Sequence, residues 1–170
     1  LDRAFVIPTA LPPHKQAEKS VSDEDRLKIA ALSVSDIEKA EVSDWEIKNG
    51  GKSYTYLTLE HFQNEFPNDE LFLYVGTDMF LSLHEWKNPE KITAAAVLSA
   101  FAREDGDAAK LEEQKKFLEK KYGAKCFIGK SEPFEISSTK IRKNLSEGND
   151  VFDYLDKKAA EYIKEKHLYA

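Results

Sequence analysis

The pattern of apolar and polar positions at the start of the chain predicts a strand, a loop and a helix. The apolar run Phe5–Ile7 predicts a short buried strand that Pro8 stops. The segment Pro8–Lys15 holds three of the six prolines, which predicts an extended loop because proline cannot continue a helix. Ser22 is a typical N-cap, with Asp25 three residues later. Apolar residues then recur at helical spacing and predict a helix whose inner face holds Leu27, Ala30, Ala31, Val34 and Ile37.

The middle of the chain also predicts strands and helices in alternation. Glu41–Ile47 alternates as a strand does, and Asn49-Gly50-Gly51 predicts a turn after it. A helix is predicted over Thr55–Phe66, with Leu59, Phe62 and Phe66 on one face and Pro67 as its stop. Leu71–Val75 is apolar throughout, which is typical of a strand covered on both faces of a parallel sheet.

The second half of the chain repeats the pattern of strands and helices. It is predicted to begin with a helix Met79–Leu83, a helix start at Asn88-Pro89 and a strand Ala96–Ala102. A helix Asp107–Tyr122, with Ala108, Leu111, Leu118 and Tyr122 inward, and a strand Lys125–Ile128 follow. The last two elements are a helix opened by Ile136-Ser137-Ser138-Thr139 and closed by Gly148, and a helix Val151–Lys166 that buries Leu155, Tyr162 and Ile163. Alternating strands and helices favour an α/β fold with a parallel sheet.

Composition excludes several classes of protein. With 170 residues, 41% of them hydrophobic, the chain suits one domain with a real core. One cysteine rules out a disulfide framework and a multi-cysteine zinc site. The longest apolar runs are too short to span a membrane, and no secretion signal opens the chain, so a cytoplasmic location is expected. The net charge of −6 argues against a general nucleic-acid binder.

Polar residues follow the predicted strands. Pro12-Pro13-His14-Lys15, Gly76-Thr77-Asp78, Arg103 and Ser137-Ser138-Thr139 with Arg142 each lie beyond a strand. Because ligands of open α/β sheets bind at the carboxyl ends of parallel strands, these residues are expected at one sheet edge. Cations, hydroxyls and a helix start are suited to a phosphate or a nucleotide.

Each residue also has a purely structural interpretation. The three hydroxyl residues are common N-caps, and Asp78 is placed to cap the helix that follows it. On the structural interpretation, Trp86 is an ordinary core residue and His14 is a turn residue on the surface. From the residues alone, both interpretations stay open.

In combination, these segments resemble the bacterial nicotinate-nucleotide adenylyltransferases, a family within the nucleotidyltransferases. The matching motifs, in order, are Pro8-Thr9-Ala10-Leu11-Pro12-Pro13-His14-Lys15, Ser53-Tyr54-Thr55 with Thr58-Leu59, Gly76-Thr77-Asp78 with Trp86, Arg103, Ile136-Ser137-Ser138-Thr139-Lys140-Ile141-Arg142, and the ending Tyr162-Ile163 with Leu168-Tyr169. The resemblance runs from about Arg3 to Tyr169 and implies a Rossmann-like, doubly wound, mainly parallel sheet.

The resemblance also implies an activity. The family transfers AMP from ATP to nicotinate mononucleotide, giving deamido-NAD and pyrophosphate in NAD biosynthesis, with Mg²⁺ held mainly by the substrate phosphates. No protein ligand to the metal is assigned, no nucleic-acid or membrane partner is implied, and a homo-oligomer is left open. Carried onto this chain, the family's catalytic positions are Lys15, Asp78 and Arg142.

The binding positions follow in the same way. Lys15 would neutralise phosphate charge, Thr55 would donate a hydrogen bond toward the nicotinate carboxylate, and Trp86 would stack on the pyridine ring. The resemblance implies that ATP is bound by the remaining positions. Gly76 would allow close approach of the backbone, and Asp78 would accept a hydrogen bond from a ribose or help to hold the metal. The other ATP-binding positions are Arg103, Ser137, Ser138, Thr139 and Arg142.

Two features depart from the family pattern. The glycine-containing turn with H-x-G-H after the family's first strand is absent, and His14, His61, His84 and His167 do not replace it. The last helix also lacks the proline that usually precedes it. We therefore expect a chain without its first strand and helix, binding substrates weakly and turning over poorly. The alternatives are a non-catalytic nucleotide-binding relative, or a transferase for nicotinamide mononucleotide or phosphopantetheine, although Thr55 and Trp86 suit an acidic aromatic base better than phosphopantetheine.

Overall fold

The computed structural model describes residues 1–11, 21–102, 106–129 and 138–169. In chain order the elements are β1 (Ala4–Val6), α1 (Asp23–Val34), β2 (Ala40–Val42), α2 (Trp45–Asn49), α3 (Thr55–Glu65), β3 (Phe72–Tyr74), α4 (Thr77–Ser82), α5 (Pro89–Ala95), β4 (Val97–Phe101), α6 (Asp107–Tyr122), β5 (Cys126–Gly129), α7 (Ser138–Ser146) and α8 (Lys157–Glu165). The predicted α/β class is confirmed, since helices alternate with strands that pair in parallel.

The chain divides into two compact units. The first holds Leu1–Ser53 and the C-terminal segment from Ile136 onward, and the second holds Tyr54–Glu135. The first contains the parallel pair β1–β2, in which Ala4 lies opposite Ala40. The second contains the sheet β3–β4–β5, in which Leu73, Leu98 and Cys126 form one row. The predicted single sheet is thus seen as two sheets in the described part of the chain.

In the first unit, helix α1 packs against β2 and α8. Its start is as predicted, because the Ser22 hydroxyl accepts a hydrogen bond from the backbone N–H of Asp25 at 3.0 Å. Side-chain contacts join α1 and the turn after it to α8. The Tyr162 hydroxyl donates to Asp25 at 2.8 Å, and the Lys158 ammonium lies 2.6 Å from Asp36.

In the second unit, helices pack over one face of the three-stranded sheet. The largest fully buried side chains are Phe80, Leu83, Ile92, Leu98, Leu111 and Leu118. Close packing also fixes Gly129, because a Cβ there would lie only 2.0 Å from the Phe101 ring. Helices α3 and α5 contact each other, and the Lys91 ammonium lies 2.7 Å from Glu60 between them.

Several sequence-based boundaries were wrong. The first strand is Ala4–Val6 rather than Phe5–Ile7, and Val6 is exposed instead of buried. The strand predicted over Glu41–Ile47 ends at Val42, because the chain turns at Ser43-Asp44 into helix α2. Gly50 ends that helix with a positive φ of 68°. The last helix begins at Lys157 instead of Val151, because Asp156 caps it by accepting from the N–H of Lys158.

Burial differs from the predictions in three other places. Leu71–Val75 was expected to be covered on both faces, but Phe72 and Tyr74 are 52% and 64% exposed, since only the opposite face of β3 packs on the core. On α6, Ala108 faces solvent and Asp107 is buried in its place. On the predicted inner face of α1, Ala31 is exposed, and Ile37 lies beyond the end of the helix and is also exposed.

Candidate functional site

The Gly76-Thr77-Asp78 turn lies at the carboxyl end of β3. The backbone N–H of Val75 still donates to Ser99 on β4, at 2.9 Å, and α4 then begins at Thr77 with Gly76 as its N-cap. No side chain caps α4, so Asp78 is not the N-cap. The helix also begins at Thr77 rather than at the predicted Met79. The Asp78 carboxylate is exposed in the first turn of α4, where a negative charge is stabilised by the helix dipole.

Buried Thr77 fixes this turn to the neighbouring elements. Its hydroxyl lies 3.1 Å from Asp107 and 3.4 Å from the carbonyl oxygen of Phe101. Asp107 is the buried first residue of α6, after Gly106 in a left-handed conformation at φ 91°. The Thr77 hydroxyl therefore joins the turn after β3 to the end of β4 and to the start of α6. Neither the motifs nor the apolar pattern of the sequence predicts a role for Thr77 or Asp107.

Trp86 directly follows a short 3-10 turn, Leu83–Glu85, which comes after α4. Trp86 is half-buried and packs against the core of the second unit, and its backbone N–H donates to the carbonyl oxygen of Leu83 at 3.1 Å. Next to it, His84 Nδ1 lies 3.0 Å from the Gln114 amide on α6. The ring is thus both a core contact and partly accessible, so neither interpretation of Trp86 excludes the other.

Thr55 is the first residue of α3 and is half-buried. Helix α3 is held to α5 by the pair of Lys91 and Glu60, and this hydrogen bond raises the pKa of Lys91. Helix α5 starts at Pro89, shortly after Trp86. The elements that carry Thr55 and Trp86 are therefore connected through the packing of α3 on α5.

Helix α7 carries the hydroxyl and cationic residues of the first unit. Ser138 and Thr139 form its exposed start, and Arg142 lies one turn later. The Arg142 guanidinium carbon lies 5.8 Å from the centre of the Tyr169 ring. A pocket of about 430 Å³ is lined by Thr139, Arg142, Lys143, Ser146 and Tyr169. Tyr169 belongs to the motifs that carry the family resemblance, but the resemblance implies no role for it.

The remaining predicted site residues, Lys15, Arg103 and Ser137, lie outside the described residues, as does His14. The structure groups Gly76 with Asp78 in the second unit and Ser138, Thr139 and Arg142 in the first. The roles given to all these residues stay predictions. Within the described ranges, no three His, Cys, Asp or Glu side chains are grouped so that they could hold a metal ion. Nor is any described helix long and apolar enough to cross a membrane.

Comparison with known proteins decides the family. Residues 1–144 match the family model described as cytidylyltransferase-like. The chain belongs to the cytidylyltransferase-like family. A member from Clostridium tetani named as a probable nicotinate-nucleotide adenylyltransferase is 34% identical over 169 residues, which cover 99% of this chain and 84% of the relative. A second relative of that name, from Desulfatibacillum aliphaticivorans, is 30% identical and 86% covered. The resemblance stated from the motifs is therefore confirmed.

Solved structures support the fold of this cytidylyltransferase-like chain. The nicotinic acid mononucleotide adenylyltransferase of Plasmodium falciparum, complexed with NaAD, aligns with a TM-score of 0.72 at 18% identity, covering 99% of this chain and 83% of that one. The same enzyme complexed with APC aligns with a TM-score of 0.68 at 17% identity, with the same coverage. This agreement confirms the Rossmann-like nucleotidyltransferase fold.

Proposed function

We propose that this nucleotidyltransferase transfers the adenylyl group of ATP to nicotinate mononucleotide, giving deamido-NAD and pyrophosphate, and so acts in NAD biosynthesis. The observation that carries the proposal is the 34% identity, over nearly the whole chain, to a relative named for this activity. The exposed Asp78 carboxylate in the turn after β3 and the hydroxyl-rich start of α7 supply groups that this chemistry needs.

The nicotinate mononucleotide would be held by Thr55, Trp86 and Lys15. Thr55 opens α3, where its hydroxyl can donate to the nicotinate carboxylate and the helix dipole favours an anion. Trp86 keeps part of its ring accessible, and a cationic pyridine ring on an indole face gains roughly 1–2 kcal/mol when desolvated. The core contacts of Trp86 would hold the indole in place before the ligand binds.

ATP would be bound through several kinds of group. The hydroxyls of Ser137, Ser138 and Thr139 would donate to phosphate oxygens at the start of α7, and the cations of Arg142 and Arg103 would add charge-assisted hydrogen bonds. Gly76 has no side chain to keep a nucleotide away from the backbone, and Asp78 would accept a hydrogen bond from a ribose hydroxyl.

The reaction needs no nucleophile from the protein. The 5′-phosphate oxygen of the mononucleotide attacks the α-phosphorus of ATP, a new phosphorus–oxygen bond forms, and the bond to the pyrophosphate oxygen breaks. Catalysis then consists of positioning and of stabilising negative charge, here by Lys15 and Arg142.

The described residues are compatible with a magnesium ion carried by the substrate. Mg²⁺ commonly binds through one or two carboxylates together with substrate phosphates, and the exposed Asp78 carboxylate supplies one such oxygen donor. When bound, the ion neutralises phosphate charge. Asp78 would orient the triphosphate through that ion or through the ribose.

Other acceptors and a non-catalytic role are the alternatives to be tested. A nicotinamide mononucleotide lacks the carboxylate that Thr55 would bind, and phosphopantetheine lacks an aromatic ring for Trp86. A non-catalytic relative would bind ATP and the mononucleotide and release no pyrophosphate. Incubating the protein with Mg²⁺, ATP and each of the three acceptors, and quantifying the adenylylated product by chromatography, separates these cases.

Both products must be measured in that experiment. The proposed function predicts deamido-NAD and pyrophosphate in equal amounts, with nicotinate mononucleotide as the preferred acceptor. Product from another acceptor in preference to nicotinate mononucleotide would contradict the proposed substrate. Binding of both nucleotides without product would instead support the non-catalytic relative.

A further inference from the structure

Tyr169, which follows helix α8, contacts a residue of the proposed ATP site. The Arg142 guanidinium carbon lies 5.8 Å from the centre of the Tyr169 ring, within the range of a cation–π contact. Tyr169 is half-buried, whereas Arg142 is exposed. Both side chains line the pocket on α7 together with Thr139, Lys143 and Ser146. The aromatic ring therefore forms one wall of a pocket whose other lining groups are hydroxyls and cations.

The chain reaches this position through two uncommon backbone conformations. After α8 ends, the N–H of Leu168 donates to Ile163 at 3.0 Å and that of His167 to Lys164 at 3.2 Å, the two bonds of a Schellman motif. His167 and Tyr169 have φ angles of 51° and 62°, in the left-handed region that residues other than glycine rarely occupy. Such conformations persist where the surrounding structure requires them, and they concentrate at functional sites.

Helix α8, which precedes Tyr169, is held in place by its contacts with α1. It packs on α1, with the Tyr162 hydroxyl 2.8 Å from Asp25 and Lys158 2.6 Å from Asp36. Ile163, whose carbonyl accepts the bond from Leu168, is buried. The position of Tyr169 beside α7 therefore depends on the packing of α8 on α1, which involves residues far from Arg142 in the sequence.

Arg142 has a charge that an anionic ligand can use. In the ranges that the structure describes, no salt bridge involves Arg142, whereas Lys143 beside it lies 3.8 Å from Glu147. An aromatic face attracts a guanidinium without neutralising it. The ring can therefore restrict the orientation of Arg142 while leaving its N–H groups to donate to phosphate oxygens.

We propose that Tyr169 is a positioning residue for ATP, whose ring holds the Arg142 guanidinium in the orientation that binds the triphosphate. The inference rests on the proposed function, in which Arg142 contacts ATP. It adds that the last turn of the chain belongs to the nucleotide site, through the aromatic ring of Tyr169 and not through its hydroxyl.

Equilibrium binding of ATP by calorimetry, with four variants of the full chain, tests this role. Tyr169→Leu should raise the Kd for ATP about two- to fivefold, the effect of an exposed cation–π pair. Tyr169→Phe, which keeps the ring, should restore the wild-type Kd. Arg142→Ala should raise the Kd roughly tenfold or more. In the double variant, Tyr169→Leu should add nothing to the effect of Arg142→Ala.

A matched control lies on the same helix. The Lys140 ammonium lies 6.0 Å from the centre of the Tyr154 ring, a similar pair that has no role in the proposed site. Tyr154→Leu should therefore leave the Kd for ATP unchanged. The chemical shift of the Arg142 Nε–H proton gives a readout that needs no ligand, because the ring current of residue 169 should be lost in Tyr169→Leu and kept in Tyr169→Phe.

The outcomes separate this inference from the proposed function. If the protein binds ATP and Arg142→Ala weakens binding while Tyr169→Leu does not, the positioning role is wrong and the proposed function stands. An additive double variant, or a failure of Tyr169→Phe to restore binding, also overturns the positioning role. If the wild-type protein binds no ATP, the proposed function fails and the inference fails with it.

Discussion

The hydroxyl of Thr77 lies 3.1 Å from a carboxylate oxygen of Asp107, although 30 residues separate them in the sequence. Both side chains are buried, and the contact joins the turn after β3 to the start of α6. A buried carboxylate that loses a hydrogen-bond partner is destabilised, because that hydrogen bond no longer compensates for its desolvation. This pair is therefore expected to hold Gly76-Thr77-Asp78 in place.

Replacing Thr77 by valine tests this contact. Thr77→Val keeps the shape of the side chain and removes the donor, so the free energy of unfolding should fall by about 1–3 kcal/mol. Urea denaturation measures the change. Thr93→Val is the matched control, because Thr93 is also buried but its hydroxyl donates to the carbonyl of Glu90 in its own helix, at 3.1 Å. Equal losses in the two variants would show that the link to Asp107 contributes nothing specific.

The contact between Asp25 and Tyr162 predicts a dependence of stability on pH. Hydrogen bonds from Ser22 and then Tyr162 hold the pKa of Asp25 below its ordinary 3.8. The hydrogen bond to Asp25 raises the pKa of Tyr162 above its ordinary 10.0. The contribution of the pair is thus fully present between pH 3.8 and 10.0. It is lost as the pH falls through the lowered pKa of Asp25, or rises through the raised pKa of Tyr162.

Tyr162→Phe removes the donor of this pair. We expect a lower urea midpoint at neutral pH, and a pKa of Asp25 that moves up toward its ordinary value while staying below it, because Ser22 still contributes. Carboxyl NMR measures the pKa directly. Tyr154→Phe serves as the control, since its hydroxyl makes no hydrogen bond in the described part of the chain. An unchanged pKa of Asp25 in Tyr162→Phe would contradict the assignment.

The single cysteine should react slowly with thiol reagents. Cys126 lies on β5 against the core of the second unit, and burial raises the pKa of its thiol to about 11 from the ordinary 9.0. Since the thiolate is the reactive form, its fraction near pH 8 should be about 100-fold below that of an unperturbed thiol. Labelling with a disulfide reagent in buffer and in denaturing urea compares the same thiol in both states. Equal rates would contradict the burial of Cys126.

Replacing Trp86 should weaken the binding of nicotinate mononucleotide and not that of ATP. Trp86→Ala should raise the Kd for nicotinate mononucleotide roughly 5- to 30-fold, because a desolvated cation–π contact is lost. The Kd for ATP should change little. Trp86→Phe should fall between the wild type and Trp86→Ala, because a smaller aromatic face remains. Calorimetric titration of each nucleotide into each variant measures both constants. Equal weakening of the two nucleotides would rule out a stacking role and leave Trp86 as a core residue.

The periodic pattern of apolar residues predicted the longer helices well. Helix α6 has the predicted bounds Asp107–Tyr122, and α3 begins at the predicted Thr55. The pattern failed where a few residues decide the structure. Alternation over Glu41–Ile47 could not exclude the short helix α2, and the cap of α8 at Asp156 was not expected.

Contacts between distant residues could not be predicted from the pattern at all. Nothing in the sequence relates Thr77 to Asp107 or Arg142 to Tyr169, because each pair meets only after helices have packed. Burial was misjudged for the same reason, since apolar Leu71–Val75 does not reveal that Phe72 and Tyr74 face solvent. The family, by contrast, could be predicted from motifs, because the chemistry restricts residue types in order along the chain.

The direct test of the proposed function is product formation by the purified chain. Adenylyl transfer with Mg²⁺, ATP and nicotinate mononucleotide, followed by ³¹P NMR, reports both products at once. We predict deamido-NAD and pyrophosphate in a ratio of about one to one, as the displacement at the α-phosphorus requires, and less product with nicotinamide mononucleotide or phosphopantetheine. Preference for either of those acceptors, or ATP bound with no product from any of them, would contradict the proposed function.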